Sequence, residues 1–171
     1  MEATEDQKAI AKFIYERFME RYILPLRAVT RGEENGFLMM AACCLLIEGL
    51  TAFREGWCST EGLSERAFQL FFKDEPGFID FREHERSFWK GVRCGILHQG
   101  ETSLGWKLNF SRPQEALLVE DDLMVNCLKF MDEMDGALLR YQDELINSPW
   151  KYEIWRNLRK KMAATIQDCE A

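Results

Sequence analysis

The sequence predicts a mainly α-helical fold, a helical bundle of about five to six helices with one inserted β-hairpin at about residues 104–119. Three observations support this prediction. The chain has 171 residues and no internal repeat or long linker, which indicates a single domain over residues 1–171. Apolar residues recur at steps of three and four along most of the chain, the spacing of amphipathic helices. One stretch instead alternates with a period of two, which is typical of a half-buried strand.

Four helices are predicted in the first part of the chain. Residues 7–24 form an amphipathic helix that we expect to end at Pro25. Residues 37–57 are apolar nearly all round, which predicts a central helix with no chemistry in its middle. A short helix over residues 62–72 and another from near residue 81 to residue 98 follow, separated by a turn.

The hairpin and two further helices are predicted in the rest of the chain. The alternating stretch from Leu104 to Ser111 is expected to turn at residues 111–114 and pair with Ala116–Val119. Asp121 or Asp122 then caps a long helix that Ser148-Pro149 interrupts, and the last helix runs from Trp150 to about Gln167. The long helix has the most regular apolar spacing in the chain: Leu123, Cys127, Phe130, Met134, Leu138, Tyr141 and Leu145.

Charge and composition argue against several classes of protein. The 29 acidic and 22 basic side chains give a net charge of −7, which argues against a nucleic-acid coating protein or a basic membrane-surface module. The longest uncharged apolar run, Phe37–Ile47, has eleven residues, against roughly 20 needed to span a bilayer. The acidic start lacks the features of a signal peptide. We therefore expect a cytoplasmic protein with no membrane segment.

Cysteine and histidine usage predicts neither disulfides nor a metal. The six cysteines include no Cys-x-x-Cys pair and lie mostly in apolar helical stretches, which favours reduced, buried thiols. The two histidines are not spaced as metal ligands beside a cysteine. No metal site and no cofactor are predicted.

Two glycines four residues apart mark the most unusual helix. Gly91 and Gly95 each cost about 1 kcal/mol relative to alanine inside a helix, so a structural reason is required. They lie on one helix face and, with Cys94, leave a smooth groove where another backbone can approach. We expect a second helix there, from this chain or from a second copy.

Arg93 and His98 lie beside that groove and carry the predicted chemistry. Five residues advance a helix about 7.5 Å and rotate it about 140°, so the long arginine side chain is needed to close the gap. Gly100 is placed to end the helix, with His98 in its last turn, where the helix dipole favours the imidazolium. Histidine suits proton transfer near neutral pH, and an arginine fork suits a phosphate.

The segment Arg93-x-x-x-x-His98-Gln-Gly-Glu-Thr, followed by a Gly-Trp hairpin, resembles the HEPN superfamily of higher-eukaryote and prokaryote nucleotide-binding helical domains. The resemblance covers roughly residues 80–146. It implies a metal-independent endoribonuclease of the toxin or defence type, with Arg93 and His98 as the catalytic pair. It also implies a site shared across a homodimer, here through the Gly91/Gly95 face, an RNA or nucleotide ligand, and an antitoxin or nucleotidyltransferase partner.

Two other interpretations remain open. The fold can instead serve as a non-catalytic nucleotide-binding or protein-interaction module, which the acidic charge and the unusual Cys94 after the arginine favour. Arg93 and His98 can also be purely structural, with His98 satisfying a helix end and Arg93 pairing with an acid such as Glu101.

Other polar groups carry weaker signals. His84 lies in a charge-alternating stretch typical of a solvated helix face, and the acid pairs at 33–34 and 121–122 are typical of caps. In the last helix basic and aromatic residues alternate, as in single-stranded RNA binding, although docking of the aromatics on the core is the favoured interpretation. Its members are Trp150, Lys151, Tyr152, Trp155, Arg156, Arg159, Lys160 and Lys161.

Overall fold

The computed structural model describes residues 4–29, 35–110 and 116–170. The fold is mainly α-helical with a small β insertion, as predicted. The helices share one hydrophobic core that extends from Ala11 to Leu158. In chain order the α-helices are α1 (Glu5–Phe18), α2 (Leu24–Val29), α3 (Gly36–Glu55), α4 (Ser64–Asp74), α5 (Glu85–Phe88), α6 (Gly95–Gln99), α7 (Cys127–Asn147) and α8 (Glu153–Glu170).

Helix α3 is the central helix, as predicted from its apolar composition. It packs against α4, α7 and α8, and most of its side chains are buried. By length and hydropathy α3 could span a membrane, but 72% of its most apolar window is buried inside the fold. That burial is what the core helix of a folded domain shows.

The first helix does not end at Pro25. Helix α1 continues through a π-helical turn (Met19–Ile23) into α2, where Pro25 is the second residue. Proline has no amide hydrogen to donate, and the π-helical turn directly before it changes the hydrogen-bond pattern at this point, with the Leu24 amide donating to the Met19 carbonyl oxygen. The prediction that the helix ends at Pro25 is therefore wrong, because the helix continues past the proline through a local change of helix type.

The helix that carries Arg93 and His98 is a continuous rod from Glu85 to Gln99, which we call the site helix. It consists of α5, a π-helical turn (Trp89–Cys94) and α6, and it ends at Gly100 with a left-handed φ of 73°. It begins later than predicted, because residues 76–81 form a separate 3₁₀ turn. Wide π turns inside α-helices occur frequently at functional sites.

The β insertion is a three-stranded sheet rather than a hairpin. Its strands are β1 (Lys107–Asn109), β2 (Leu118–Val119) and β3 (Met124–Asn126), in the spatial order β1-β3-β2. Strand β1 is parallel to β3, with Leu108 opposite Val125, and β2 is antiparallel to β3. The two strands predicted to pair with each other are thus separated by β3. The predicted turn at residues 111–114 lies outside the described residues.

Strand β3 occupies the position where the long helix was predicted to start. Helix α7 begins at Cys127, and the Asn126 side chain caps it by accepting a hydrogen bond from the Lys129 amide at 3.1 Å. Asp121 and Asp122 lie in an exposed 3₁₀ turn before β3 and do not cap α7. The predicted break at Ser148 is confirmed.

Candidate functional site

An ion pair between two helices defines the candidate site. Arg93 lies in the π turn of the site helix, and its Nε donates a hydrogen bond to Glu48 Oε1 on α3 at 2.7 Å. The Arg93 side chain is 18% exposed and that of Glu48 is 9% exposed. The pair therefore lies at the edge of the core rather than on the open surface.

Two further side chains hold Glu48 in place. The Ser64 hydroxyl, at the start of α4, donates to Glu48 Oε1 at 2.8 Å. Ser64 in turn accepts a hydrogen bond from Trp89 Nε1 at 2.9 Å. Because Trp89 is on the site helix one turn before Arg93, the network joins α3, α4 and the site helix at one point. Such a network fixes the rotamer of the arginine that it holds.

The Arg93 guanidinium is kept charged. Burial by itself would lower the pKa of Arg93, but the hydrogen bond and the negative charge of Glu48 raise that pKa above its ordinary value. Glu48 engages only Nε, and no other described carboxylate forms an ion pair with the guanidinium. The neighbouring Cys94 side chain is a further hydrogen-bond partner of this guanidinium.

His98 lies apart from Arg93. It is exposed in the last turn of α6, and no hydrogen bond or ion pair joins it to Arg93 within the described residues. The structure therefore places both predicted residues on one helix but does not bring them together within one protomer. The structural alternative expected Arg93 to pair with an acid such as Glu101, and Arg93 does pair with an acid, but that acid is Glu48 on another helix.

The glycine face of the site helix is covered by the chain itself. A methyl group on Gly91 would overlap the Trp106 ring and lie 2.7 Å from the Ser103 carbonyl oxygen. A methyl group on Gly95 would lie 2.5 Å from the Glu101 carbonyl oxygen. The segment that follows the site helix folds back onto this face, so the expected second helix is absent there. Within one protomer the space beside Gly91 and Gly95 is therefore filled by residues 101–106 of the same chain.

Three of the six thiols are buried and ionise less readily than an exposed thiol. All six cysteines are free, and Cys43, Cys44 and Cys127 are buried. Burial raises the pKa of Cys127 to about 12 and the pKa of Cys44 still further. Cys94, next to Arg93, is half-buried.

The network around Arg93 includes three residues that were not predicted as functional. Glu48 lies in the apolar helix whose middle was expected to carry no chemistry, and it forms the ion pair with Arg93. The available signal was a lone acid late in an otherwise uncharged apolar run. Ser64 and Trp89 have no distinct sequence signal, because their pairing depends on how α4 meets the site helix.

The other polar candidates take structural positions. His84 is half-buried, and its ring packs edge-on against Trp106 at 5.9 Å, so it does not lie on a solvated face. Trp155 is fully buried and donates to the carbonyl oxygens of Leu145 and Ser148, both at 3.0 Å, which docks α8 on the core as favoured. Trp150 is exposed, and Arg159 stacks over its ring at 4.4 Å. The acid pair at 33–34 lies outside the described residues.

No group of three or more His, Cys, Asp or Glu side chains within residues 4–29, 35–110 and 116–170 is arranged to hold a metal ion. Comparison of the chain with protein families, with curated proteins and with solved structures finds no match.

Proposed function

We propose that the protein is a HEPN-like, metal-independent endoribonuclease whose site is completed by a second copy of the chain. One observation carries this proposal: Glu48 holds a charged Arg93 by a hydrogen bond from Nε, five residues before an exposed His98 on the same helix. A pre-positioned cation and an accessible imidazole are the groups that phosphodiester cleavage without a metal requires.

In the proposed reaction the 2′-hydroxyl of an RNA nucleotide attacks the phosphorus of the adjacent 3′-phosphodiester. The new O2′–P bond forms while the P–O5′ bond breaks, and a 2′,3′-cyclic phosphate and a 5′-hydroxyl result. One His98 accepts the proton from O2′ and a second His98 gives a proton to O5′. The terminal nitrogens of Arg93 stabilise the added negative charge on the phosphate oxygens.

A second protomer is part of the proposal because Arg93 and His98 do not contact each other within one chain. A twofold axis would supply two histidines, so that one can act as base while the other acts as acid. Because the glycine face is covered by the chain's own residues 101–106, the proposal places the dimer contact elsewhere. We propose the C-terminal end of α6 as the dimer contact, because Leu97 there is an apolar side chain that is 40% exposed beside His98.

The test is cleavage of structured and single-stranded RNA in the presence of a chelator. We expect the wild-type protein to cut RNA but not DNA, and His98→Ala and Arg93→Ala to be inactive. His84→Ala is the matched control, because it removes the other histidine of the chain and should still cut. Equal cleavage by all forms would identify a contaminating nuclease and contradict the proposal.

Mixing the two inactive variants tests the shared site. If Arg93 of one chain acts with His98 of the other, a mixture of Arg93→Ala and His98→Ala contains heterodimers with one intact combination and should recover part of the activity. If the wild-type protein is active but the mixture of the two variants stays inactive, Arg93 and His98 of one protomer must act together, and the shared site is contradicted.

The second candidate is a non-catalytic module that binds a nucleotide or a partner protein such as an antitoxin. The Glu48 ion pair favours it, since the carboxylate offsets the charge that Arg93 offers to a phosphate. Thermal melting with and without nucleotides separates the two candidates. A rise in melting temperature that Arg93→Ala abolishes, without RNA cleavage by the wild-type protein, would favour the module.

A further inference from the structure

A cleft with an excess of positive charge lies between α4 and the start of the site helix. It has a volume of about 260 Å³ and is lined by Arg66, Gln69, Lys73, Arg82 and Glu85. The three residues from α4 lie at positions i, i+3 and i+7 and therefore share one helix face. Three cations and one carboxylate meet in this cleft, although the whole chain carries a net charge of −7.

The three cations of the cleft outnumber its single carboxylate, Glu85. Arg66, Lys73 and Arg82 form no ion pair with any described residue, and all three are exposed. Arg66 contacts only the Gln69 amide oxygen, at 3.4 Å. The neighbouring acid Glu65 is occupied by Arg86 at 3.2 Å. An excess of unpaired cations on an acidic protein suits a polyanionic ligand.

Further basic residues follow the cleft along the sequence of the site helix. Arg86 and Lys90 are four residues apart and both exposed, and Arg93 comes three residues later. Arg86 and Arg93 form ion pairs with Glu65 and Glu48, whereas Lys90 forms none with a described residue. Basic residues thus recur every three or four positions from Arg82 to Arg93 and form a row in the sequence. A linear polyanion with regularly spaced charges can contact such a row, whereas a single small anion would occupy only one position in it.

We propose that this basic cleft binds the phosphate backbone of single-stranded RNA and leads the strand to Arg93. The inference rests on the proposed ribonuclease function and extends it by assigning a substrate-binding surface outside the reacting groups. Contacts of this kind carry no base specificity, because lysine and arginine engage only the phosphates. The basic cleft would therefore bind DNA and RNA alike, and the discrimination between them would arise at the 2′-hydroxyl.

Binding is measured with fluorescent single-stranded RNA and DNA of one sequence, in chelator, at several salt concentrations. The His98→Ala protein is used so that no strand is cut. The test variant adds Arg66→Gln, Lys73→Gln and Arg82→Gln. The matched control adds Lys151→Gln, Arg156→Gln and Lys160→Gln on and before α8, which remove the same charge from the other basic surface. Melting temperatures of both triple variants verify that they are folded.

We expect the cleft variant to bind both strands at least about tenfold more weakly than the His98→Ala parent. The slope of log binding constant against log salt concentration should become less steep by about 2, while the control binds as the parent does. Equal losses in the two triple variants, or no loss in the cleft variant, would overturn the proposal. Displacement of the RNA by polyglutamate of matched charge would reassign the cleft to an acidic protein partner and overturn it as well.

Cleavage by the same triple variant (Arg66→Gln, Lys73→Gln and Arg82→Gln) with His98 intact separates the two proposals. If the wild-type protein cuts RNA and this variant cuts it with an unchanged KM, the cleft alone is refuted. A protein that binds RNA through the cleft but never cuts it refutes the proposed nuclease alone.

Discussion

Glu48 Oε1 lies 2.7 Å from Arg93 Nε, across 45 residues of sequence. This contact ties the central helix to the π turn of the site helix at the edge of the core. The carboxylate also accepts from Ser64, so it is oriented before any ligand arrives. An arginine fixed in this way loses less side-chain entropy when it binds a phosphate.

Replacing Glu48 with glutamine should destabilise the fold by about 1–3 kcal/mol. The amide retains the shape and a hydrogen-bond acceptor, but it leaves the largely buried Arg93 cation without its counter-charge. Urea unfolding, followed by circular dichroism, measures the change.

The control is Glu65→Gln, which removes the partner of Arg86. That arginine is 80% exposed, so the loss should stay below about 1 kcal/mol. Equal losses in the two variants would show that the Glu48 pair behaves as an ordinary surface pair.

Gly91→Ala should cost about 1–3 kcal/mol, because the added methyl overlaps the Trp106 ring and crowds the Ser103 carbonyl. Gly136→Ala, in α7, meets only the flexible end of Arg140 and should be neutral or stabilising by up to about 1 kcal/mol. Since the obstruction comes from the same chain, the Gly91→Ala loss should not depend on protein concentration. A loss that grows as the concentration rises would indicate that a second copy packs there.

The helices were predictable because each must bury an apolar stripe, and that stripe is visible as spacing in the sequence. Helix α3 and the end of α7 at Ser148 follow from such local signals. The end of the site helix at Gly100, which has a left-handed backbone conformation, also follows from a local signal.

The Glu48 contact was not predictable in this way. A buried acid in an apolar helix has no local signature of its partner, which lies 45 residues away and is chosen by how the helices cross. Strand β3 was missed for a related reason. Met124–Asn126 lies between Leu123 and Cys127, which keep the four-residue spacing of a helix. Only the pairing of this segment with β1 and β2 makes it a strand.

Thiol accessibility should divide the cysteines into two classes. Cys58 and Cys169 are exposed and should react with a disulfide reagent at pH 8 within minutes. Cys43, Cys44 and Cys127 are buried, and burial raises the pKa of each thiol, so they should react only after unfolding in urea. Rapid modification of all six cysteines in the native protein would contradict the packing of α3 against α7.

Stability should fall as the pH rises above about 9. Burial raises the pKa of Cys127 to about 12 and also raises those of Cys43, Cys44 and Tyr141. The unfolded chain ionises first, so each group contributes no loss below its unfolded pKa. Above it each lowers the free energy of unfolding by about 1.4 kcal/mol per pH unit. Urea unfolding between pH 8 and pH 11 measures the slope.

The control for this pH dependence is Cys58→Ser. Cys58 is exposed, so removing it should leave the slope unchanged, whereas Cys127→Ala should reduce it. Identical slopes in both variants and the wild type would mean that Cys127 ionises as easily in the folded protein as in the unfolded chain.

Asn126→Ala should destabilise the protein by about 1–2 kcal/mol, because the side chain caps α7 and is almost completely buried. The backbone amide of Asn126 also donates to the Leu117 carbonyl oxygen at 3.0 Å, so the residue stands where the sheet and the helix meet. Asp121→Ala is the matched control, since this exposed acid begins no helix of the described fold, and its removal should change stability by less than about 0.5 kcal/mol. Thermal unfolding of the two variants compares them directly. A larger loss from Asp121→Ala would place the start of the long helix where the sequence pattern alone had predicted it.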